Sequence, residues 1–316
     1  MRLFSIRSEE KIMSLIQAEA LSKRFQLKKG YTQAFFDLSF SILPQETLGL
    51  IGESGSGKST LGKCLLRLEE PTSGGVYFEN QDLLKFSKKQ LFYFRRKAQI
   101  ILQDPYASLN PKMTSAEAIM EPLQIHCKYT KEVSRQLAYE AFIRVGLHAS
   151  SFNRFPHEFS GGQRQRIAIA RALILNPAFI VCDEPISALD VSTQAQIITL
   201  LKRFQEELSI SYLFIAHNLN MVRHISDRVA VMYLGNFVEL APTEDLYQNP
   251  LHPYTQALFA TMPGSSFQKA KPILGPISSS GCPFAARCPY ATKICNQEKP
   301  SWKEKHSGHF VACHLH

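Results

Sequence analysis

The sequence predicts an α/β fold in which helices cover a parallel β-sheet, and three features support this prediction. A glycine-rich loop at residues 52–60 lies between a short apolar run and an amphipathic run. Two later apolar runs, at 179–184 and 212–216, have the continuous character of strands that are buried on both faces. Short segments before the loop alternate apolar and polar residues, which is typical of a small antiparallel sheet.

The composition agrees with a folded protein that has no membrane span of its own. The chain has 316 residues, of which 45% are apolar, enough for one large domain and a smaller one. It contains no apolar run as long as the roughly 18 residues that a spanning helix needs, and its first ten residues are too polar for a secretion signal. We therefore expect a cytoplasmic protein that reaches a membrane only through a partner.

The net charge of +9 is spread along the chain without a long basic block. We interpret it as a solvated surface, and not as a nucleic-acid-binding patch. Residues 1–14 form a predicted N-terminal extension, for which Met1 and Met13 are alternative starts.

Between residues 15 and 51 the alternation predicts the antiparallel sheet, most clearly at 36–42. Two rings near this sheet, Phe25 and Tyr31, are candidates to stack on a nucleobase. Core packing is an equally good explanation for either ring, so the spacing leaves the choice open.

The loop at 52–60 fits the pattern G-x-x-x-x-G-K-[ST], whose backbone N–H groups surround a nucleotide's β-phosphate. In such a loop Lys58 reaches the β- and γ-phosphates and the Ser59 hydroxyl binds Mg²⁺. A predicted strand at 47–51 precedes it and a predicted helix at 61–68 follows, so the phosphate would lie at a helix N-terminus. The sequence therefore predicts a nucleoside triphosphate site, whose loop residues are Gly52, Ser54, Gly55, Gly57, Lys58, Ser59 and Thr60.

Downstream of this helix we predict a turn at 71–75, a strand at 76–78, a helix at 88–97 and a strand at 99–102. That last strand ends on Gln103. A glutamine beside a phosphate site can bind Mg²⁺ or a water molecule.

A second anion-binding helix start is predicted after the helix-rich stretch 114–158. Ser160, Gly161, Gly162 and Gln163 open a helix at 164–175, and small residues there leave N–H groups exposed. Because the chain already has its own phosphate loop, this second start suggests a nucleotide held between two subunits.

Two further strands end in residues suited to phosphate chemistry. The strand at 179–184 ends in Asp183, which can hold Mg²⁺, and Glu184, which can polarise a water for attack on the γ-phosphate. The strand at 212–216 ends on His217, which can reach the γ-phosphate. A turn at 187–190 and a helix at 194–208 lie between these strands, and a hairpin across residues 235–236 closes the sheet.

Beyond Pro242 the composition changes. Residues 242–281 are rich in Pro, Gly and Ser, which predicts an extended linker wrapped on the core. Four cysteines follow, namely Cys282, Cys288, Cys295 and Cys313. Their number fits a [4Fe–4S] cluster or a Zn²⁺ site equally well, and a tight C-x-x-C pair is missing. Four histidines are competing candidate ligands, namely His306, His309, His314 and His316.

Taken together, these motifs resemble the nucleotide-binding subunit of an ABC transporter, in order and in spacing. Only 102 positions separate Lys58 from Ser160, which leaves no room for the coiled-coil insertions of ABC-type DNA-repair ATPases. The segments 103–111, 159–166, 187–192 and 252–255 are similar to the oligopeptide/dipeptide import group, and within it to the "F" type subunit.

The resemblance implies a RecA-like P-loop NTPase core with an antiparallel β subdomain and a helical subdomain, plus a Cys-rich C-terminal extension. The implied ATPase domain covers 15–241, with its helical subdomain at about 104–160, and the extension covers 242–316.

The resemblance also assigns roles. It implies Ser59 and Gln103 on Mg²⁺, Glu184 as general base, His217 as γ-phosphate sensor, and residues 160–163 acting on a partner's ATP. By family position Phe25 is the better candidate for the adenine ring. Among the relatives a [4Fe–4S] cluster is associated with a similar tail, with Zn²⁺ or unliganded thiols as the alternatives here.

The implied partners are two permease subunits, a "D" type ATPase and, indirectly, an external substrate-binding protein, at the cytoplasmic face of the membrane. The predicted activity is ATP hydrolysis that drives peptide import. Import of nickel or another small solute is the alternative, and a soluble ABC ATPase acting on nucleic acid is the rival from another class.

Overall fold

The fold was analysed in a computed structural model, which describes residues 14–28, 30–262, 267 and 280–316. The two candidate starts Met1 and Met13 and much of the predicted linker lie outside the described residues.

The strands alternate with helices in the order expected for an α/β protein. The strands are β1 (Ile16–Gln26), β2 (Tyr31–Ile42), β3 (Thr47–Ile51), β4 (Ser73–Phe78), β5 (Gln81–Asp82), β6 (Ala98–Ile101), β7 (Phe179–Asp183), β8 (Ser211–Ile215), β9 (Arg228–Tyr233), β10 (Asn236–Pro242), β11 (Lys303–His306) and β12 (His309–Val311). The helices are α1 (Lys58–Leu65), α2 (Lys88–Lys97), α3 (Pro105–Ser108), α4 (Ser115–His126), α5 (Lys131–Arg144), α6 (Gly161–Leu173), α7 (Val191–Leu208), α8 (Leu219–Ile225), α9 (Thr243–Gln248), α10 (Pro253–Phe259) and α11 (Lys293–Gln297).

The central sheet has the strand order β11-β12-β10-β9-β3-β8-β7-β6. Its middle is parallel, since β3 pairs with both β8 and β9 and β7 pairs with both β8 and β6. Every residue of β3, β7 and β8 is buried, because alternate side chains of each strand enter two different cores. This explains the continuous apolar runs, and it confirms the predicted α/β fold.

The predicted antiparallel sheet is also present, with the order β2-β1-β4-β5. Its apolar side chains pack with α1 against one face of the central sheet. The predicted turn at 71–75 was wrong in part, because β4 already begins at Ser73. Gly74 has φ +87°, and a Cβ there would lie 2.4 Å from the Ala20 carbonyl oxygen, so glycine allows the close pairing.

Several predicted helix boundaries were wrong by two or three residues because the caps were not recognised. Helix α6 begins at Gly161 and not at 164, since Ser160 and Gln163 form a capping box. Helix α7 begins at Val191 and not at 194, since the Asp190 carboxylate accepts the Thr193 N–H. Helix α1 covers Lys58–Leu65, so the predicted start and end at 61 and 68 were both too late.

The predicted linker was wrong in part: the segment packs on the core, but it is not extended there, because residues 243–248 and 253–259 form α9 and α10. Pro253 occupies the first turn of α10, a position that tolerates proline. The side chains of Leu246, Tyr254 and Phe259 are buried in the main core. Two of the prolines in this segment therefore stand at the starts of helices and not in an extended linker.

The end of the chain extends the central sheet. Strand β12 pairs antiparallel with β10, and β11 pairs with β12. The buried His309 Nε2 lies 2.7 Å from Glu239 Oε1, and the same carboxylate accepts the backbone N–H groups of Leu251 and His252. Among the described residues, no helix is both long and apolar enough to cross a bilayer.

Candidate nucleotide site

The glycine-rich loop connects β3 to α1 at the carboxyl edge of the parallel strands, where α/β proteins bind ligands. Gly57 stands at the N-cap of α1 with φ +101°, and no side chain caps this helix. A Cβ on Gly57 would lie 2.2 Å from the Ala34 carbonyl oxygen, so only glycine fits beside β2. The helix therefore presents an N-terminus that an anion can approach.

The Lys58 side chain folds back over the loop. Its Nζ donates to the carbonyl oxygens of Gly52 at 2.9 Å and Glu53 at 2.8 Å. Burial lowers the pKa of Lys58, and this is opposed by the carboxylates of Glu184, Asp183 and Glu53. The ammonium is thus positioned inside the loop that a phosphate would enter.

Two side-chain oxygens that can coordinate a metal ion lie beside the loop. The Ser59 hydroxyl donates to Asp183 Oδ1 at 2.7 Å, which joins the start of α1 to the end of β7. Oxygen ligands of this kind are those that Mg²⁺ prefers. The residues therefore fit the Mg²⁺ that the loop motif implies.

Glu184 follows β7 in a left-handed conformation with φ +50°, which is uncommon for a glutamate. Its backbone N–H donates to the Ile215 carbonyl at 3.0 Å. His217 Nε2 lies 2.5 Å from Glu184 Oε1, so the strand ends of β7 and β8 hold an acid and an imidazole as a pair. Backbone strain of this kind is common at functional sites.

One cavity of about 480 Å³ is lined by Lys58, Ser59, Glu184 and His217, among other residues. It brings together most of the predicted ATP-site residues, and its lining consists of Phe25, Thr32, Gln33, Ala34, Ser54, Gly55, Gly57, Lys58, Ser59, Thr60, Gln103, Glu184 and His217. Tyr31 is not part of the lining; it is 59% exposed, with the Arg24 guanidinium 5.0 Å from its ring. Gly52 lies behind the cavity, where its carbonyl holds Lys58.

The residues of β2 in this lining were missed by the sequence analysis. Thr32 pairs with Phe25 and Gln33 with Arg24 in the antiparallel sheet, so the strand register carries them to the cavity. The alternation at 36–42 predicted the strand but not where its first half would lie.

Ser160, Gly161, Gly162 and Gln163 lie outside this cavity. The Ser160 Oγ accepts the Gln163 N–H at 3.3 Å, and the Gln163 Oε1 accepts the Ser160 N–H at 3.0 Å. Gly162 packs against α7, since a Cβ there would lie 2.5 Å from the Thr193 methyl. The second predicted anion site is therefore separate from the chain's own nucleotide cavity.

The C-terminal cysteines are folded near one another. The Cys282 N–H donates to the Cys295 carbonyl at 2.7 Å. Burial raises the pKa of Cys313 to about 11, and the other three thiols add to the shift. In the part of the chain that the structure describes, however, no three His, Cys, Asp or Glu side chains are arranged to hold a metal ion.

Three of the competing histidines have other partners. His309 pairs with Glu239, His314 Nε2 lies 2.9 Å from the Glu298 carbonyl oxygen, and His316 Nε2 lies 3.1 Å from that of Leu251.

Two side chains from the C-terminal extension touch the phosphate loop, and the sequence analysis missed this role. The Glu53 N–H donates to the Tyr254 hydroxyl at 2.9 Å, and Arg287 Nη1 lies 2.8 Å from Glu53 Oε1. Tyr254 belongs to the segment 252–255 that was singled out in the sequence, whereas no sequence pattern marks Arg287.

Comparisons with known proteins agree with this architecture. A family model described as "ABC transporter" matches residues 35–187, and one described as "Oligopeptide/dipeptide transporter, C-terminal region" matches residues 238–295. The putative oligopeptide transport ATP-binding protein YkfD of Bacillus subtilis is 50% identical over 96% of both chains. The oligopeptide transport ATP-binding protein AppF of the same organism is 50% identical over 92% of both chains.

Among solved structures, the dimeric bacterial ABC transporter cassette MJ0796 is similar with a TM-score of 0.67 and 30% identity. The match covers 72% of this chain and 98% of that chain.

Proposed function

Since the chain belongs to the ABC transporter family of ATP-binding subunits, we propose that it hydrolyses ATP to energise peptide import across the cytoplasmic membrane. The observation that carries the ATPase proposal is the single cavity in which the phosphate loop, Gln103, Glu184 and His217 converge. The names of the relatives, which are oligopeptide transport ATP-binding proteins similar over most of the chain, support peptides as the cargo.

The proposed reaction is in-line attack of water on the γ-phosphorus, which breaks the bond to the β–γ bridging oxygen and releases ADP and inorganic phosphate. Glu184 accepts a proton from the water, and His217, 2.5 Å from its carboxylate, orients this base and contacts the γ-phosphate. Lys58 neutralises charge that develops on the phosphate oxygens. Ser59, Asp183 and Gln103 are the residues we propose to hold Mg²⁺, which supplies further charge neutralisation when bound.

We propose that Phe25 stacks on the adenine ring. Phe25 is part of the cavity lining, whereas Tyr31 is not. Stacking on an aromatic face tolerates any base and adds affinity.

A second ATPase subunit is the proposed partner across the nucleotide. Residues 160–163 lie outside the chain's own cavity and at an exposed helix start, so they are available to a nucleotide bound by another subunit. The dimeric state of the similar MJ0796 cassette supports this arrangement. We propose a different, "D" type subunit as that partner, with a homodimer as the alternative outcome.

Two permease subunits are the proposed membrane partners, and they hold the chain peripherally at the cytoplasmic face. A groove of about 240 Å³ between the sheet and α4 exposes the apolar side chains of Leu102 and Ile125. Leu102 directly precedes Gln103 of the nucleotide cavity, so a permease segment in this groove would sit one residue from the ATP site. An external substrate-binding protein would act through the permeases.

The groove can be tested directly. Ile125→Asp should remove permease from the purified complex, because it places a charge in the apolar lining. Ile143→Asp is the matched control, since Ile143 is similarly exposed on α5 and does not line the groove. Equal permease recovery from both variants would contradict the docking proposal.

The transport proposal is tested by trapping the Glu184→Gln protein with MgATP in detergent-solubilised membranes and identifying the proteins that copurify. Two multispanning permeases and a second ATPase are expected, with much less of the second ATPase from Lys58→Ala. The associated binding protein is then titrated with peptides and with nickel. Recovery of only soluble, nucleic-acid-associated proteins would overturn the transport function.

We further propose that Cys282, Cys288, Cys295 and Cys313 take up a [4Fe–4S] cluster, with Zn²⁺ as the alternative. The mutual effect of these thiols on the pKa of Cys313 supports their proximity, although the side chains would have to converge further than they do here. Iron, zinc and acid-labile sulfide analysis of anaerobically purified protein is the test. Metal-free protein with intact ATPase activity would remove the proposal.

A further inference from the structure

Glu53, a variable position of the phosphate loop, is held at three points. Its backbone N–H donates to the Tyr254 hydroxyl at 2.9 Å, and its carbonyl accepts from Lys58 Nζ at 2.8 Å. Its carboxylate accepts from Arg287 Nη1 at 2.8 and 2.9 Å. Two of these three partners come from the C-terminal extension.

Two aromatic rings and the fold of the extension hold the Arg287 side chain in place beside Glu53. Its guanidinium carbon lies 5.8 Å from the ring centres of both Tyr233 and Phe284. Phe284 is buried, and the Arg287 side chain itself is only 19% exposed. Arg287 ends the short turn Ala285–Arg287, so the fold of the extension sets the position of this charge.

The negative charge of the Glu53 carboxylate disfavours phosphate binding. It is one of the three carboxylates that act on Lys58, the residue placed to meet the phosphates. A negative charge at this position repels a nucleoside triphosphate and attracts the Lys58 ammonium away from it. Arg287 opposes both effects because it pairs with that carboxylate.

We propose that Arg287 is a positioning residue for the nucleotide site, which neutralises and anchors Glu53 so that the loop and Lys58 remain available to ATP. The C-terminal extension thereby sets the affinity of a site that lies in the ATPase core. This inference rests on the proposed ATP site and adds to it a residue outside the nucleotide-binding motifs.

The test is a set of variants of the full-length chain, titrated with a slowly hydrolysed ATP analogue and Mg²⁺ at low salt. Arg287→Gln should raise Kd by about three- to tenfold, and KM for ATP in parallel, with little change in kcat. Arg287→Lys keeps the charge and should stay within about twofold of wild type. High salt should reduce the effect of Arg287→Gln, because it screens the uncovered carboxylate.

The decisive variant combines Arg287→Gln with Glu53→Gln. If Arg287 acts by neutralising Glu53, removing the carboxylate should restore Kd to within about twofold of wild type. If Arg287 only packs the extension, the double variant should stay as weak as Arg287→Gln, and the inference is wrong. Unchanged Kd in Arg287→Gln would overturn it as well.

Arg223→Gln is the matched control, because it breaks a pair with Glu244, at 2.6 Å, and neither residue lines the nucleotide cavity. Its Kd should equal that of wild type, and a rise equal to that of Arg287→Gln would contradict the inference. Wild-type protein that bound no nucleotide would overturn the proposed ATPase function together with this inference.

Discussion

Two helices of this chain, α1 and α6, have glycine at or just before their first residue and were both predicted from the sequence to bind anions at their N-termini, yet their N-caps differ in the structure. The N-cap of α1 is Gly57, which offers no side chain to the helix and lies in the nucleotide cavity. The N-cap of α6 is Ser160, whose hydroxyl already accepts the Gln163 N–H, on an exposed surface outside that cavity.

A glycine-rich helix start is therefore not by itself a phosphate site. The Ser160 hydroxyl accepts the Gln163 N–H, so what separates the two helix ends is which other groups face them. Around α1 stand Lys58, Asp183 and Glu184, whereas α6 packs its start against α7. We therefore interpret α1 as the chain's own nucleotide end and α6 as an end that serves another subunit.

The largest expected effect is at the chemistry beside α1. Glu184→Gln should lower ATP turnover by about 10²- to 10⁴-fold, because the water loses its general base, while MgATP binding persists. Phosphate release and nucleotide titration of the same preparation measure the two quantities. Glu206→Gln, an exposed glutamate of α7, is the control, and turnover equal to that control would refute the assignment of Glu184.

The second-largest effect is expected on MgATP affinity when Lys58 of the loop is replaced. Lys58→Ala should weaken MgATP binding by about 10- to 100-fold, because it removes a buried ammonium from inside the loop. Equilibrium titration checks this against Lys63→Ala, which changes the last turn of the same helix. Equal affinities in the two variants would place the phosphate elsewhere.

A smaller effect is expected at α6. Ser160→Ala should leave the chain's own nucleotide affinity unchanged and reduce turnover of the assembled ATPase pair by about tenfold. The substitution also removes a helix cap, at a cost of about 1 kcal/mol. Thr114→Ala removes an equivalent capping box from α4, so it controls for stability. If both variants lowered turnover alike, the loss would come from the cap and not from a missing phosphate contact.

The smallest effect concerns a third helix start, that of α10, where the buried His252 Nδ1 accepts the Tyr254 N–H at 2.9 Å. Burial, with a smaller contribution from His316, lowers the pKa of His252 from 6.5 to about 3. Below pH 6.5 the unfolded chain binds a proton that the folded chain does not, so stability falls as the pH falls.

The expected loss in the free energy of unfolding is about 1 kcal/mol between pH 6.5 and 5.5. Denaturant unfolding of wild type and of His252→Asn measures it, since asparagine retains a capping acceptor and does not titrate in this range. Parallel pH profiles would exclude the histidine as the source.

The sequence predicted that several strand-end side chains would lie close together. Asp183, Glu184 and His217 come directly after buried apolar runs, and parallel strands bring such ends to one edge. The predicted α2 also agrees with the observed Lys88–Lys97, where Ser87 provides a capping box.

The features that the sequence analysis missed depend on contacts between distant segments or on local structure that composition does not reveal. Glu53 and Arg287 are 234 positions apart, and no local pattern connects them. The helices α9 and α10 were hidden by their prolines, because composition does not distinguish a helix start from a linker. Phe284, just before the turn that precedes Cys288, packs on Tyr233, and the cysteine spacing gave no information about that contact.

The hairpin formed by β11 and β12 has a consequence for how this protein behaves at high local concentration. It makes β11 the last strand on that side of the central sheet, and the residues Lys303–His306 are all exposed and read Lys-Glu-Lys-His. A short, charged strand at an edge discourages pairing with a strand from another molecule. Copies at high local concentration are therefore not expected to pair through this edge of the sheet.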